Sequence, residues 1–295
     1  MRHRFLPPLL LLTAAVLWSL AGVLIKSVHG HPMALAAGRS AIAIPVIFAC
    51  VGLQRNKLSF TFSQAQIGGA IGYALTVALF VFATRMTTAA NAIFLQYTAP
   101  IYVAIIGRWY LGERALPIDW LVIAIALTGI ALFFVDKLSV SGFWGNIVAL
   151  CSGLSFASLV LFLRKEKAGS PVTSALLGNA IVALAGLPFL LRTHFSGPDL
   201  RLLIILGVVQ LGLPYVLYAT AIKHVTALEA TLVTLLEPVL NPTWVMIALG
   251  ERPGPWALVG GVLVLGAVLT RGAMMVRGRR AADPADGAVL VPPGD

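Results

Sequence analysis

Ten apolar runs of about twenty residues each, separated only by short charged or Pro/Gly-rich pieces, leave this chain few ways to fold. They lie near residues 9–28, 33–53, 67–84, 89–111 and 116–135, then 143–163, 172–191, 200–222, 227–249 and 256–271. About twenty apolar residues in a helix span the ~30 Å hydrocarbon core of a bilayer. Backbone polar groups find no water there, so a spanning chain is either a helix bundle or a closed barrel. Barrel strands are stretches of roughly ten residues with alternating polarity, whereas these runs are twice as long and apolar on every face. The composition agrees: 59% of residues are hydrophobic and 11% charged, against about 25% charged in an ordinary soluble domain. The expected fold is therefore all-α and integral to the membrane, with ten transmembrane helices.

The net charge of +10 would suggest nucleic acid in a soluble chain, but here the basic residues are divided among the short loops. With the amino terminus inside, fourteen of the 21 Lys and Arg face the cytoplasm: Arg2, Arg4, Arg55, Lys57, Arg108, Arg114, Arg164, Lys165, Lys167, Lys223, Arg271, Arg277, Arg279 and Arg280. Six face outward, namely Lys26, Arg85, Lys137, Arg192, Arg201 and Arg252, and Arg39 lies inside a run. This bias follows the positive-inside rule. It predicts a multi-pass protein of the cell (plasma or inner) membrane with both termini cytoplasmic and no nucleic-acid partner. Cys50 and Cys151 sit within apolar runs, where they read as packing residues. No His/Cys cluster has metal-ligand spacing, so neither metal nor cofactor is expected. Arg2 and Arg4 before an apolar stretch, with Ser19-Leu20-Ala21 after it, resemble a cleaved signal peptide. A duplication argues that this segment belongs to the mature fold.

Leu111-Gly112-Glu113-Arg114 reappears as Leu249-Gly250-Glu251-Arg252, an offset of 138 residues. At the same offset Pro100 meets Pro238, Pro117 meets Pro255, Thr88-Ala89 meets Thr226-Ala227 and Ala92 meets Ala230. Trp18 pairs with Phe156 and Lys26 with Arg164, while Gly38-Arg39 meets Gly178-Asn179 at an offset of 140. Residues 1–138 thus form a first five-helix repeat and 139–273 a second. The basic and then Asp/Pro/Gly-rich residues 274–295 are too poor in apolar residues to pack and read as a disordered tail. Because five is odd, the second repeat enters the membrane upside down relative to the first, an inverted-topology repeat.

Inverted repeats place their solute near the bilayer midplane, between the halves and beside interrupted helices. Pro100 and Pro238 lie near the middle of the fourth and ninth runs, where each removes a helical hydrogen bond and frees a carbonyl. They act either as packing kinks or as helix breaks whose carbonyls line a cavity. Glu237 is the acidic residue near the centre of a run, where a charge costs about 2.5–3.5 kcal/mol on insertion scales; it is the coupling-ion candidate, as a proton or cation site, or else a structural pair. Glu229 reads as a helix end at the cytoplasmic interface. Arg39 either snorkels to the outer surface or pairs with Glu237 or an anionic solute group. Asn91, Gln96, Asn179, Gln210 and Asn241, with Trp18, Tyr73, Tyr97, Tyr215 and Tyr218, complete the substrate-cavity candidates; each is also a plausible interhelical hydrogen-bonding or belt residue. Tyr102 belongs to the same polar and aromatic set. Trp109, Tyr110, Trp120, Trp144, Trp244 and Trp256 lie near run ends and read as interface anchors. Gly68-Gly69-Ala70-Ile71-Gly72 and Gly260-Gly261 are small-residue surfaces for close helix contact.

Trp18, the run Asn91 to Pro100 followed by Leu111-Gly112-Glu113, and Leu236-Glu237-Pro238 followed by Leu249-Gly250-Glu251 resemble the EamA-type members of the drug/metabolite transporter superfamily. The resemblance covers about residues 5 to 273. It implies a basket-like bundle around a central cavity, alternating access, and efflux of amino acids, amines or other metabolites, with homodimers compatible. Small four-helix pumps of that superfamily carry a carboxylate in their first helix, and residues 9–28 have none. Ala99 stands where the first-half counterpart of Glu237 would be, so proton exchange is a separate hypothesis. The partners expected are a small-molecule solute and the lipid bilayer. No His-Glu-x-x-His, Gly-x-Ser-x-Gly or paired intramembrane aspartates support an enzyme. The alternative to a transporter is a non-transporting receptor or structural subunit.

Overall fold

A computed structural model describes residues 2–53, 58–87, 89–133, 135, 142–249 and 255–281. The regular structure among the described residues is helical, with no strand among them. In chain order the helices are α1 (Arg2–Trp18), α2 (Ala21–Ser27), α3 (Pro32–Leu53), α4 (Gln64–Met86), α5 (Ala89–Gln96), α6 (Ala99–Tyr110), α7 (Pro117–Phe133) and α8 (Phe143–Lys165). They continue as α9 (Pro171–Ala185), α10 (Leu187–Arg192), α11 (Gly197–Ile205), α12 (Leu213–Ala221), α13 (Ala227–Val233), α14 (Glu237–Leu249) and α15 (Pro255–Ala281). A π-helical segment, Leu206–Gly212, joins α11 to α12, and a 3-10 turn, Thr234–Leu236, joins α13 to α14.

Five helical stretches are long and apolar enough to cross a membrane: Leu6–Ser27, Pro32–Leu53, Gln64–Met86, Phe143–Lys165 and Gly197–Ala221. Shorter apolar helices run over Pro117–Leu132, Pro171–Ala185 and Leu258–Met274. Several apolar runs that read as single spans are composite. The run 89–111 divides into α5 and α6, and 227–249 into α13, the 3-10 turn and α14. Both interruptions come just ahead of Pro100 and Pro238, which occupy the second position of α6 and α14, where a helix does not use the N–H that proline lacks. The last helix continues to Ala281, so residues 274–281 extend α15 where the sequence reading began the disordered tail. Residues 282–295 of that tail lie outside the described residues, as do Thr88 and Gly250-Glu251-Arg252 of the repeat.

Polar caps set the helix starts. Ser63 accepts from Gln66 N at 3.1 Å to begin α4. Ser196 with Asp199 and Thr226 with Glu229 form reciprocal capping boxes at α11 and α13. Glu229 is therefore a cap, and it also meets Arg271 Nη2 at 3.3 Å. Close helix packing follows from glycine. A Cβ at Gly72 would lie 2.9 Å from the Leu159 backbone nitrogen, so α4 and α8 can approach only because none is present. Likewise a Cβ at Gly129 on α7 would meet the Gly260 carbonyl of α15 at 2.9 Å. Trp109, Trp120, Trp144 and Trp256 are exposed, as expected of interface anchors. Trp244 instead is half-buried and donates its indole N–H to Ser19 Oγ at 2.8 Å.

Candidate functional site

Near the middle of the long helices, α1, α3, α4, α5, α8, the π-segment, α12 and α14 leave a small cavity between them. Of the residues singled out by sequence, Trp18, Arg39, Gln96, Tyr97, Gln210, Tyr215 and Glu237 line it. Thr76, Val77, Phe80, Phe156 and Leu211 complete the wall. Phe156 carried one readable signal, as the repeat partner of Trp18; the other four are ordinary apolar-helix residues whose facing only packing reveals. The open space is about 40 Å³, room for a few waters and less than a metabolite needs.

Backbone breaks present the polar groups. Tyr97 and Thr98 separate α5 from α6, and Tyr97 donates its hydroxyl to Glu237 Oε2, the first residue of α14. The two interrupted elements thus meet through one buried hydrogen bond. Gln96 donates to Ser152 Oγ at 2.8 Å, and that hydroxyl contacts the Thr76 carbonyl at 3.3 Å. Threonine hydroxyls turn back onto carbonyls at both breaks, Thr98 onto Leu95 at 2.7 Å and Thr234 onto Thr231 at 2.9 Å. Gly153 of α8 lies directly against the first break, since a Cβ there would be 2.8 Å from the Gln96 carbonyl and 3.0 Å from that of Leu95.

Arg39 is 2% exposed and faces this cavity rather than reaching outward. Its Nη1 donates to Gln210 Oε1 at 3.1 Å and its Nη2 to the Val77 carbonyl at 3.0 Å. Glu237, one of the alternatives read for Arg39 from the sequence, lines the same cavity but forms no ion pair with it. The π-segment widens one turn so that Gln210 and Leu211 face inward together; such segments recur at functional sites.

The remaining sequence candidates lie outside the cavity. Tyr73 packs edge-on to Tyr215, centroids 4.4 Å apart, and accepts from Asn179 Nδ2 at 2.7 Å. Tyr218 packs on Trp18 at 5.2 Å. Asn91 donates to Thr87 and Asn146 near one end of the bundle, as an interhelical bond. Asn241 fills the space beside Gly22, where a Cβ would come 2.4 Å from its Oδ1.

A second, larger space of about 550 Å³ opens where α6, α7, α8, α13 and α15 meet. Charged pairs line it. Arg164 Nε contacts Glu113 Oε1 at 2.7 Å, Glu113 Oε2 accepts from Ala227 N at 2.8 Å, and Arg271 Nε lies 2.9 Å from Asp119 Oδ1. Gly112, with φ +71°, makes the turn that brings Glu113 back toward α8. Among the described residues, no group of three or more metal-ligating side chains is present.

Comparison with known families decides what such a bundle is. The EamA-like transporter family matches this chain twice, over residues 6–135 and 143–270. The chain belongs to the EamA-like transporter family. An uncharacterized transporter of Archaeoglobus fulgidus is 31% identical over 201 residues, 68% of this chain and 73% of that one. The pseudopaline exporter CntI of Pseudomonas aeruginosa is 26% identical over 239 residues, 77% and 81% of the two chains. A crystal structure superposes with a TM-score of 0.79 at 17% identity, covering 92% of this chain and 98% of that one, and so shares the fold. This EamA-like protein is accordingly a multi-pass membrane transporter.

Proposed function

We propose that this transporter moves a small organic solute, an amino acid, amine or other metabolite, out of the cell by alternating access. It would act as a secondary-active or facilitative carrier of the plasma or inner membrane. The observation that carries this reading is the convergence of Trp18, Arg39, Gln96, Tyr97, Gln210, Tyr215 and Glu237 on one buried cavity between two interrupted helices. Broken helices at mid-depth are how inverted-repeat carriers expose polar groups to a solute. Export is favoured by the likeness to the pseudopaline exporter.

Ten spans in two inverted halves, 1–138 and 139–273, with both termini cytoplasmic, form part of the proposal. Packing supports it, because exchanging the halves returns the same contacts. As α4 packs on α8, α12 packs on α1; as α4 packs on α9, α3 packs on the π-segment; α7 with α15 and α3 with α9 pair with themselves. Asn179–Tyr73 mirrors Arg39–Gln210 in the same way. The polar end contacts also sort by side. Ser63 meets Glu166, Arg164 meets Glu113, Arg271 meets Asp119 and Lys223 meets the Gly169 carbonyl, all on the side assigned to the cytoplasm. On the other side Asp199 holds His29, Arg85 holds the Val28 carbonyl and Asn146 holds Thr87. The larger space lies on the cytoplasmic side, so this conformation reads as facing inward.

Flux from purified protein in liposomes, over a panel of amino acids, amines, nucleosides and organic acids, tests the reading. Flux above protein-free vesicles for at least one solute is expected; none would favour a receptor or structural subunit. Proton coupling through Glu237 is tested by comparing Glu237→Gln with the parent, with and without a pH gradient. Equal rates in all four conditions would discard it.

A further inference from the structure

Arg39 carries a charge that the packing around it does not require. At membrane depth a cation must reach water, pair, or meet a ligand, because leaving it alone in hydrocarbon is expensive. At 2% exposure it does not reach bulk water, and what it faces is the small cavity with room for a few waters. No carboxylate among the described residues lies within ion-pair distance of it. Its two hydrogen bonds go to neutral acceptors, and its Nε has no partner. The repeat supplies an internal control. The matching position of the second half holds Asn179, beside Gly178 as Arg39 is beside Gly38, and the same architecture accepts this neutral amide, whose Nδ2 donates to Tyr73 and the Ala175 carbonyl while its Oδ1 has no partner.

Trp18 presents a second donor to the cavity, since its indole Nε1 is also buried without a partner. The protein holds the guanidinium in place: Gln210, aimed by the π-segment, takes one Nη, and the Val77 carbonyl takes the other. Glu237, the one carboxylate in the wall, is occupied by the Tyr97 hydroxyl. The wall therefore contains a fixed single cation and unpaired N–H donors, flanked by Phe80, Phe156 and Tyr215.

We propose that this cavity, once alternating access widens it beyond the few waters it has room for in this conformation, selects solutes bearing a carboxylate, with Arg39 as the residue that binds it through Nε–H and Trp18 Nε1–H as a second donor. The inference rests on the transport reading and names the group that the solute must carry. A carboxylate suits the site because its two coplanar oxygens match a guanidinium edge, and the Arg39 guanidinium has no carboxylate within ion-pair distance among the described residues. The aromatic rings would take the apolar part of the solute.

The purified full chain in detergent micelles would be titrated by calorimetry with two matched pairs, benzoate with benzamide and L-phenylalanine with L-phenylalaninamide. At least one acid is expected to bind about tenfold or more tightly than its amide, the scale of a hydrogen bond to a charged group. Trp18→Phe keeps an aromatic ring but removes the N–H and should weaken acid binding about tenfold, with a smaller effect on amide binding. Arg39→Gln should abolish the preference; if it does not fold, Arg39→Lys, which keeps the charge but not the Nε–H, replaces it and should reduce the preference. Equal binding of acids and amides, no binding of either acid, or a preference retained without Arg39 or its Nε–H would each overturn the proposal. Flux assays on the same probes separate the two readings: flux without acid preference leaves transport standing and refutes the selection, while acid-selective binding without flux does the reverse.

Discussion

The contact between Gly153 and the carbonyls at the α5/α6 break permits a sharp perturbation. In Gly153→Ala the new methyl would sit 2.8 Å from the Gln96 carbonyl oxygen, 3.0 Å from that of Leu95 and 3.2 Å from the Gln96 Cα. All three are backbone atoms, so no side chain can rotate away, and α8 must shift from the break by several tenths of an ångström. Overpacking of this kind costs about 1–3 kcal/mol. Against it, replacing glycine by alanine within a helix gains up to about 1 kcal/mol. With the full gain subtracted from the mid-range cost, the clash should win by about 1 kcal/mol and by at most about 2, or ~2–6 °C in melting temperature for a chain of this size. Gly266→Ala is the matched control, since a Cβ on that exposed α15 glycine meets nothing within 4 Å; only the propensity gain applies there, and stability should hold or rise. Thermal unfolding in detergent, followed by tryptophan fluorescence, reads both variants. If Gly153→Ala melts at or above the parent, α8 does not seat on the interrupted helix, and the account of how the break is supported fails.

The Glu113–Arg164 pair is only partly shielded, with side chains 21% and 13% exposed, so a double-mutant cycle with Glu113→Gln and Arg164→Gln should show a coupling of about 1 kcal/mol. That coupling should shrink in high salt; a coupling that salt leaves intact would contradict a solvent-accessible pair. Tyr97→Phe removes the hydroxyl that Glu237 accepts and should destabilise the fold by about 1–3 kcal/mol. Adding Glu237→Gln should recover part of that loss in unfolding measurements, because the group left unpaired is then neutral; no recovery would mean that the phenol stabilises the fold by some other contact.

Much of this protein is legible before any coordinates. The lengths of the apolar runs dictate helices because hydrocarbon forbids unpaired backbone, and the Leu-Gly-Glu-Arg repeat with its two prolines predicts where helices are interrupted. Seven of the candidate residues meet at one cavity because polar groups at membrane depth are costly anywhere else. Periodicity could not say which polar residues face inward together. Asn91 and Asn241 sit in runs as apolar as those of Gln96 and Glu237, yet one bridges helices near an end of the bundle and the other fills the gap beside Gly22. Of the alternatives that the sequence left for Arg39, pairing with Glu237 does not occur, because the π-segment aims Gln210 at one and the α5/α6 break aims Tyr97 at the other. Val77 and Leu211 gave no sign, since an apolar wall residue and an apolar lipid-facing residue look alike in sequence. The amino-acid order alone determines which stretches are apolar enough for a membrane, because that is a one-dimensional consequence of solvation, whereas proline marks a break only in context, since Pro45 lies inside the continuous α3. Partner choice depends on helix rotation and close glycine contacts between distant segments, and only the folded bundle decides that.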